Sequence, residues 1–138
     1  TNAVGIAKEL LTREIAKAQE RIGGMKKVKE IFNKAPDKRV IVLEENLPWE
    51  PVLVNEPKAI YVIYPRREGN WGLKGVPKTV KGFERKKLLP ESWASLEGEE
   101  LRRVSGVTDA IFCHRDRFLC AAESKEGAIK LAELALNA

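Results

Sequence analysis

Apolar residues recur every three or four positions at the head of the chain. Val4, Ala7, Leu11, Ile15, Ala18 and Ile22 alternate with Lys8, Glu9, Arg13, Glu14, Lys17 and Glu20. This spacing predicts an amphipathic helix over about residues 3–22, with the apolar residues turned to a core. Gly23-Gly24 is expected to stop it. A second helix is predicted behind the glycines, with Met25, Val28, Ile31, Phe32 and Ala35 inward and Lys26, Lys27 and Lys29 outward. Pro36-Asp37 ends it, and its lysine face reads as solvated surface.

Beyond Pro36 the pattern shortens. Arg39-Val-Ile-Val-Leu43 reads as a strand buried on both faces. Glu44 and Glu45 are adjacent on extended chain and point in opposite directions, so they read as surface charge, with Trp49 packing. Ala59–Pro65 and Trp71–Pro77 flank Arg66-Arg-Glu-Gly-Asn70 and predict a hairpin. Gly72 and Gly75 weaken the second of these strands unless another group approaches closely there. Trp71 is either a cross-strand packing residue or the flat wall of a site. Next come Arg85, Lys86 and Lys87, three cations expected to be held between two aromatic anchors, Phe83 and Trp93, with Pro90 opening a helical turn. Glu99–Val104 predicts a short helix stopped by Ser105-Gly106. Ala110–His114 and Arg117–Ala121 predict a second hairpin. Ser124 caps a last helix whose Ala128, Leu131, Ala132 and Ala135 face inward. The expected fold class is α+β: one mixed or antiparallel sheet, built from two hairpins and a lone strand, covered by N- and C-terminal helices.

With 138 residues the chain fits one domain, 1–138, with a real core. Its net charge of +5 favours anionic partners. One pair of cysteines, Cys113 and Cys120, cannot carry a disulfide scaffold, so a reduced setting is expected. No apolar run nears the ~20 residues of a membrane span, and no signal-peptide pattern opens the chain. A cytoplasmic or organellar protein that is not secreted and has no membrane partner is expected. The chain opens on Thr1, as a processed product or an excised domain would.

Candidate chemistry is sparse. His114 is the only histidine, and with two cysteines it cannot complete a four-ligand zinc site. Cys113 and His114 are strand neighbours whose side chains diverge, which excludes a thiol–imidazole dyad. A hydrogen-bonded histidine at a strand end is the plain reading of His114. No phosphate loop, dinucleotide fingerprint or serine elbow is present. What remains is the cation cluster around Arg85, suited to phosphate, carboxylate or a nucleic-acid backbone.

Several stretches follow one another in a distinctive order. They are Val40-Ile-Val-Leu-Glu44 with Leu47-Pro-Trp49, Tyr61-Val-Ile-Tyr-Pro65, Gly69-Asn-Trp71, Val76-Pro77 and Phe83-Glu-Arg-Lys86. Leu89-Pro-Glu-Ser-Trp93, Glu100-Leu101, Val104-Ser-Gly106, Phe112-Cys-His114 and Glu126-Gly-Ala128 complete the series. No single motif is specific, but the ordered set closely resembles the C-terminal domain of the melanocyte-proliferating-gene family, within the DHH superfamily of metal-dependent phosphoesterases. The resemblance covers most of the chain. It implies a domain that closes over an active-site cleft and grips substrate, and RNA exonuclease activity is attributed to some members. The metal ions, manganese or magnesium, would be held by a separate N-terminal catalytic domain through patterns such as Asp-His-His. This chain has no such pattern, so no cofactor is expected within it and no catalysis by it alone. The implied partners are that catalytic domain and a nucleic acid or other phosphorylated substrate. Carried over to this sequence, the substrate-binding residues are Arg85, Lys86, Ser105, Gly106 and His114, with Arg117 and Trp71 added from their positions. Where relatives tend to read His-x-x-Gly-Phe-x-Gly-Gly, this chain has Arg117, Cys120 and Ala121 in place of the small residues. The alternative reading is a non-catalytic module that docks on another protein through an apolar face.

Overall fold

The computed structural model describes residues 2–138, with side-chain surroundings for residue 5 and from residue 7 onward. Five strands form one sheet in the order β1-β2-β3-β5-β4: β1 is Val40–Val42, β2 Tyr61–Pro65, β3 Trp71–Gly75, β4 Ala110–Cys113 and β5 Leu119–Ala122. β1 runs parallel to β2, and every other pairing is antiparallel. The two hairpins and the lone strand therefore assemble into one mixed sheet, with helices at both ends of the chain. β1 is an edge strand. Ile41 is fully buried, while Val40 and Val42 are half-buried, so the strand is less enclosed than its composition suggests.

The strands alternate between two faces, except that a register shift between Ala110 and Phe112 in β4 puts those two residues on opposite sides. On the first face Tyr61, Ile63, Leu73, Cys120, Ala122 and Cys113 meet a helix, α4, spanning Lys125–Leu136. Ala128, Leu131, Ala132 and Ala135 of α4 are fully buried there, as their spacing predicted. The Ser124 hydroxyl accepts a hydrogen bond from the Gly127 amide at 3.0 Å and starts the helix. Leu101 of α3 (Gly98–Ser105) and Trp93 close the same core. Pro90 precedes only a single 3₁₀ turn, Glu91–Trp93.

On the second face Ile41 and Val62 meet α1 (Asn2–Lys34) through Val28 and Phe32, with Leu53 of α2 (Glu50–Leu53) and Trp49 completing the cluster. Here the structure corrects the sequence reading twice. α1 is one helix that passes straight through Gly23-Gly24. The reason is a close approach: a Cβ on Gly24 would stand 2.7 Å from Pro48 Cδ, so the glycine admits the Leu47-Pro48 segment instead of ending the helix. The first half of α1 also does not face the core. Ala7, Leu11, Ile15, Ala18 and Ile22 are all exposed, and Val4 lies outside the residues whose side chains are described. Among the described residues burial in α1 begins at Gly24, although Arg21, itself exposed, lines a cleft with Leu47, Pro48 and Trp49.

Candidate substrate-binding surface

α1 and α2 cover only the β1–β2 end of the second face. Cross-strand register aligns Tyr64, Gly72, Ala121 and Phe112 in one row, and Val62, Lys74 and Leu119 in the next. The His114 amide donates to the Leu119 carbonyl at 2.9 Å and extends that second row. Phe112 and His114 thus share the side of the sheet that no helix covers, with Lys74 beside them. Gly72 is small because the Tyr64 ring lies over it: a Cβ there would stand 2.7 Å from Tyr64 Cζ.

The hairpin turn between β4 and β5 brings Phe118 to the end of this surface, and Phe118 organises it. The His114 ring centroid is 4.7 Å from that of Phe118. Arg85 Cζ lies 5.3 Å from the Phe118 centroid and Lys74 Nζ 6.0 Å, two cation–π contacts on one ring. A second such pair, Arg66 over Phe112 at 5.1 Å, belongs to the same face. Arg85 Nε is buried without a hydrogen-bond partner. His114 Nδ1 accepts from the Asp116 amide at 3.0 Å, which puts the proton of the neutral ring on Nε2.

Arg85, Lys86, Lys87 and Arg117 line one open cleft with Glu91 on its wall. Their donors are not equally free. Lys86 Nζ donates to the carbonyls of Leu53 (3.1 Å), the last residue of α2, and of Glu56 (2.5 Å) just beyond it, and burial lowers its pKa. Lys87 Nζ donates to the carbonyls of Leu136 (2.9 Å) and Ala138 (3.2 Å). Arg117 Nε donates to the Leu89 carbonyl at 2.7 Å. Its φ of +62° is the left-handed region that glycine favours. Phe83, expected as an anchor, is 94% exposed, because it stands beyond the last backbone bond of the 76–78/84–86 pairing. Trp93 does anchor the segment at its other end.

Arg85 and His114 therefore meet at one ring, and Arg85, Lys86 and Arg117 share one cleft. Trp71, Ser105 and Gly106 lie elsewhere. Trp71 points with Leu73 to the α4 side of the sheet, where Lys125 Nζ sits 5.9 Å from its ring. Ser105 Oγ donates to the Leu101 carbonyl at 2.6 Å and accepts from the Val107 amide at 3.2 Å, ending α3 together with Gly106. Lys74 and Phe118 escaped the sequence reading. Strand alternation from Gly72 carried a signal for Lys74; the position of Phe118 depends on the turn.

Among the described residues no three His, Cys, Asp or Glu side chains converge on a point that would hold a metal ion, so the residues present do not fit one. Burial pushes the Cys113 thiol up to about 11 and holds Cys120 well above the usual thiol range, so both are poor nucleophiles. Among the described residues no helix is long and apolar enough to cross a membrane.

Fold and surface together define an α+β domain that offers cations around an aromatic ring on an open sheet face. The chain belongs to the family described as Uncharacterised protein family (UPF0160), whose model, MYG1_exonuc, matches residues 1–136. It is similar to the human MYG1 exonuclease, 33% identical over 113 residues, covering 76% of this chain and 30% of the relative. A rat MYG1 exonuclease is 37% identical over 76 residues, 55% of this chain and 20% of the relative. A MYG1 protein of Saccharomyces cerevisiae is 32% identical over 105 residues, 71% of this chain and 31% of the relative. The chain thus matches less than a third of the length of these curated relatives. No solved structure gives a significant match.

Proposed function

We propose that this chain is the substrate-gripping domain of a metal-dependent DHH-type phosphoesterase, acting on a nucleic acid and inert alone. The observation that carries the reading is the Phe118 cluster. Arg85 brings its guanidinium, Lys74 a second cation that also sits 4.0 Å from the Glu50 carboxylate, and His114 an Nε2–H donor to one aromatic ring. Arg85 Nε is shielded from solvent, so a phosphate would meet the terminal guanidinium nitrogens at the open cleft, where a planar fork of donors recognises it. The Phe118 face holds the guanidinium in place, so binding costs little ordering of a long side chain. Arg117 adds charge at the turn. Lys86 contributes long-range field and supports the cleft wall, because its ammonium is engaged by carbonyls. Relatives bearing the name exonuclease support a polynucleotide as substrate. On this reading the hydrolytic metal ions would be held by a separate N-terminal domain, as the family resemblance implies.

The test is fluorescence anisotropy with labelled single-stranded RNA across a salt series. The negative slope of log affinity against log salt should rise by about 0.7 for each phosphate engaged. Arg85→Ala should weaken binding by about tenfold with an unchanged melting curve. No binding, or a slope of zero, refutes the reading. Turnover of a phosphodiester by the isolated chain with manganese would overturn its non-catalytic part.

A further inference from the structure

The first half of α1 carries an apolar stripe that the domain does not use. Leu11 is 59% exposed, Ile15 52% and Ile22 63%, with Ala18 between them also exposed. A helix gains most of its stability from packing one face, so an apolar face left in water over several turns calls for a cover. The stripe is set apart from the face that holds the domain. At 100° per residue, Leu11, Ile15, Ala18 and Ile22 centre about a third of a turn away from Gly24, Val28, Ile31, Phe32 and Ala35. It is also narrow. Spacings of four, three and four are the a/d seam of a coiled coil, whereas a helix lying on a globular surface shows a broader apolar face. The occupant is therefore another helix.

We infer that this occupant is the same segment of a second copy, packed antiparallel in a two-fold coiled coil centred between Ala16 and Lys17. In that register Leu11 of each copy meets Ile22 of the other, and Ile15 meets Ala18. Every seam residue finds a partner, as an isologous contact requires. The flanking charges select this orientation. Glu14 and Arg21 occupy the g positions, and antiparallel pairing sets Glu14 of one copy against Arg21 of the other, twice per dimer. Thr12 and Gln19, at the e positions, are uncharged and face each other without penalty. A parallel pair would set Arg21 against Lys26 instead, two like charges at each flank. The contact spans few heptads, so the dimer is weak and concentration-dependent.

Sedimentation equilibrium of the chain tests this. The expected result is a reversible monomer–dimer equilibrium. Ile15→Asp should abolish it while leaving the domain folded, since Ile15 touches no core residue and the fluorescence of buried Trp49 and Trp93 reports on the fold. Glu14→Arg and Arg21→Glu should each weaken association by about tenfold, and the double swap E14R/R21E should restore it. A chain that stays monomeric at every concentration overturns the inference and leaves the stripe to another polypeptide. A dimer indifferent to Ile15→Asp overturns it too. So does a dimer that the double swap fails to restore, since its helices would then run differently.

Discussion

Lys86 reaches across the fold to donate to the backbone carbonyl of Glu56, 30 residues earlier, at 2.5 Å. Its ammonium also takes the Leu53 carbonyl, so one cation ties the basic segment to the end of α2. Lys86→Met removes the donor and keeps most of the stem. Two carbonyls then lose a partner, and the chain should lose about 1–3 kcal/mol of stability. RNA affinity should fall less than for Arg85→Ala. Urea melts and anisotropy on the same two variants decide it. A Lys86 variant with full stability and lost binding would make Lys86 a ligand-binding residue instead.

Phe118 should matter for binding more than for folding. Phe118→Leu keeps the apolar bulk and removes the ring face that holds Arg85 and Lys74. A cation–π contact of this kind is worth about 0.5–1 kcal/mol at an exposed site, so RNA affinity should drop roughly two- to fivefold. The thermal midpoint should move little. Unchanged affinity would show that the ring does not position the cations.

Gly72→Ala places a methyl where the Tyr64 ring stands. The ring must shift, and overpacking of this kind costs about 1–3 kcal/mol. Combining it with Tyr64→Val should recover part of the loss, because the two sites share one space. Additive losses in the double variant would mean that the glycine serves the strand in another way.

Cys113 and Cys120 face each other across β4 and β5, both buried. Burial raises Cys113 from 9.0 to about 11, and burial and then Cys113 itself raise Cys120 further. Between those pH values the unfolded chain releases thiol protons that the folded chain keeps. Stability conferred by the neutral thiols is complete below pH 9 and declines as pH climbs toward 11. Melting temperatures across this range should fall more steeply in the parent chain than in a C113A/C120A variant. At pH 8 neither thiol should react with Ellman's reagent until the chain unfolds. Rapid native-state labelling contradicts both statements.

Most of the architecture was readable from residue order. Ser124 and the Ala128, Leu131, Ala132, Ala135 spacing fix α4 locally, and the Gly69-Asn70 turn fixes the β2–β3 hairpin. α1 escaped because a glycine pair ends a helix only when the chain turns there, whereas Gly24 is small to admit Pro48, a residue 24 positions on. The same long-range blindness hid the exposure of Leu11 and Ile15: periodicity defines a face and says nothing of what covers it. At the candidate site, Arg85 and His114 stood out as charge and as the sole histidine. That they meet at Phe118 depends on the turn at 115–118, where Arg117 adopts φ +62°. Trp71 could have been placed by alternation with Leu73, a core residue two positions on. Ser105 and Gly106 matched a motif, yet their local role is helix termination.

The brevity of β1 bears on solubility. A sheet margin exposes unpaired amides and carbonyls on which a foreign strand can grow, and here that margin is three residues long. Pro36 blocks extension upstream, and the Asp37–Arg39 ion pair guards the entry to the strand. Concentrated solutions of the chain should resist fibril growth from this side of the sheet, because too few rungs are free to seed it.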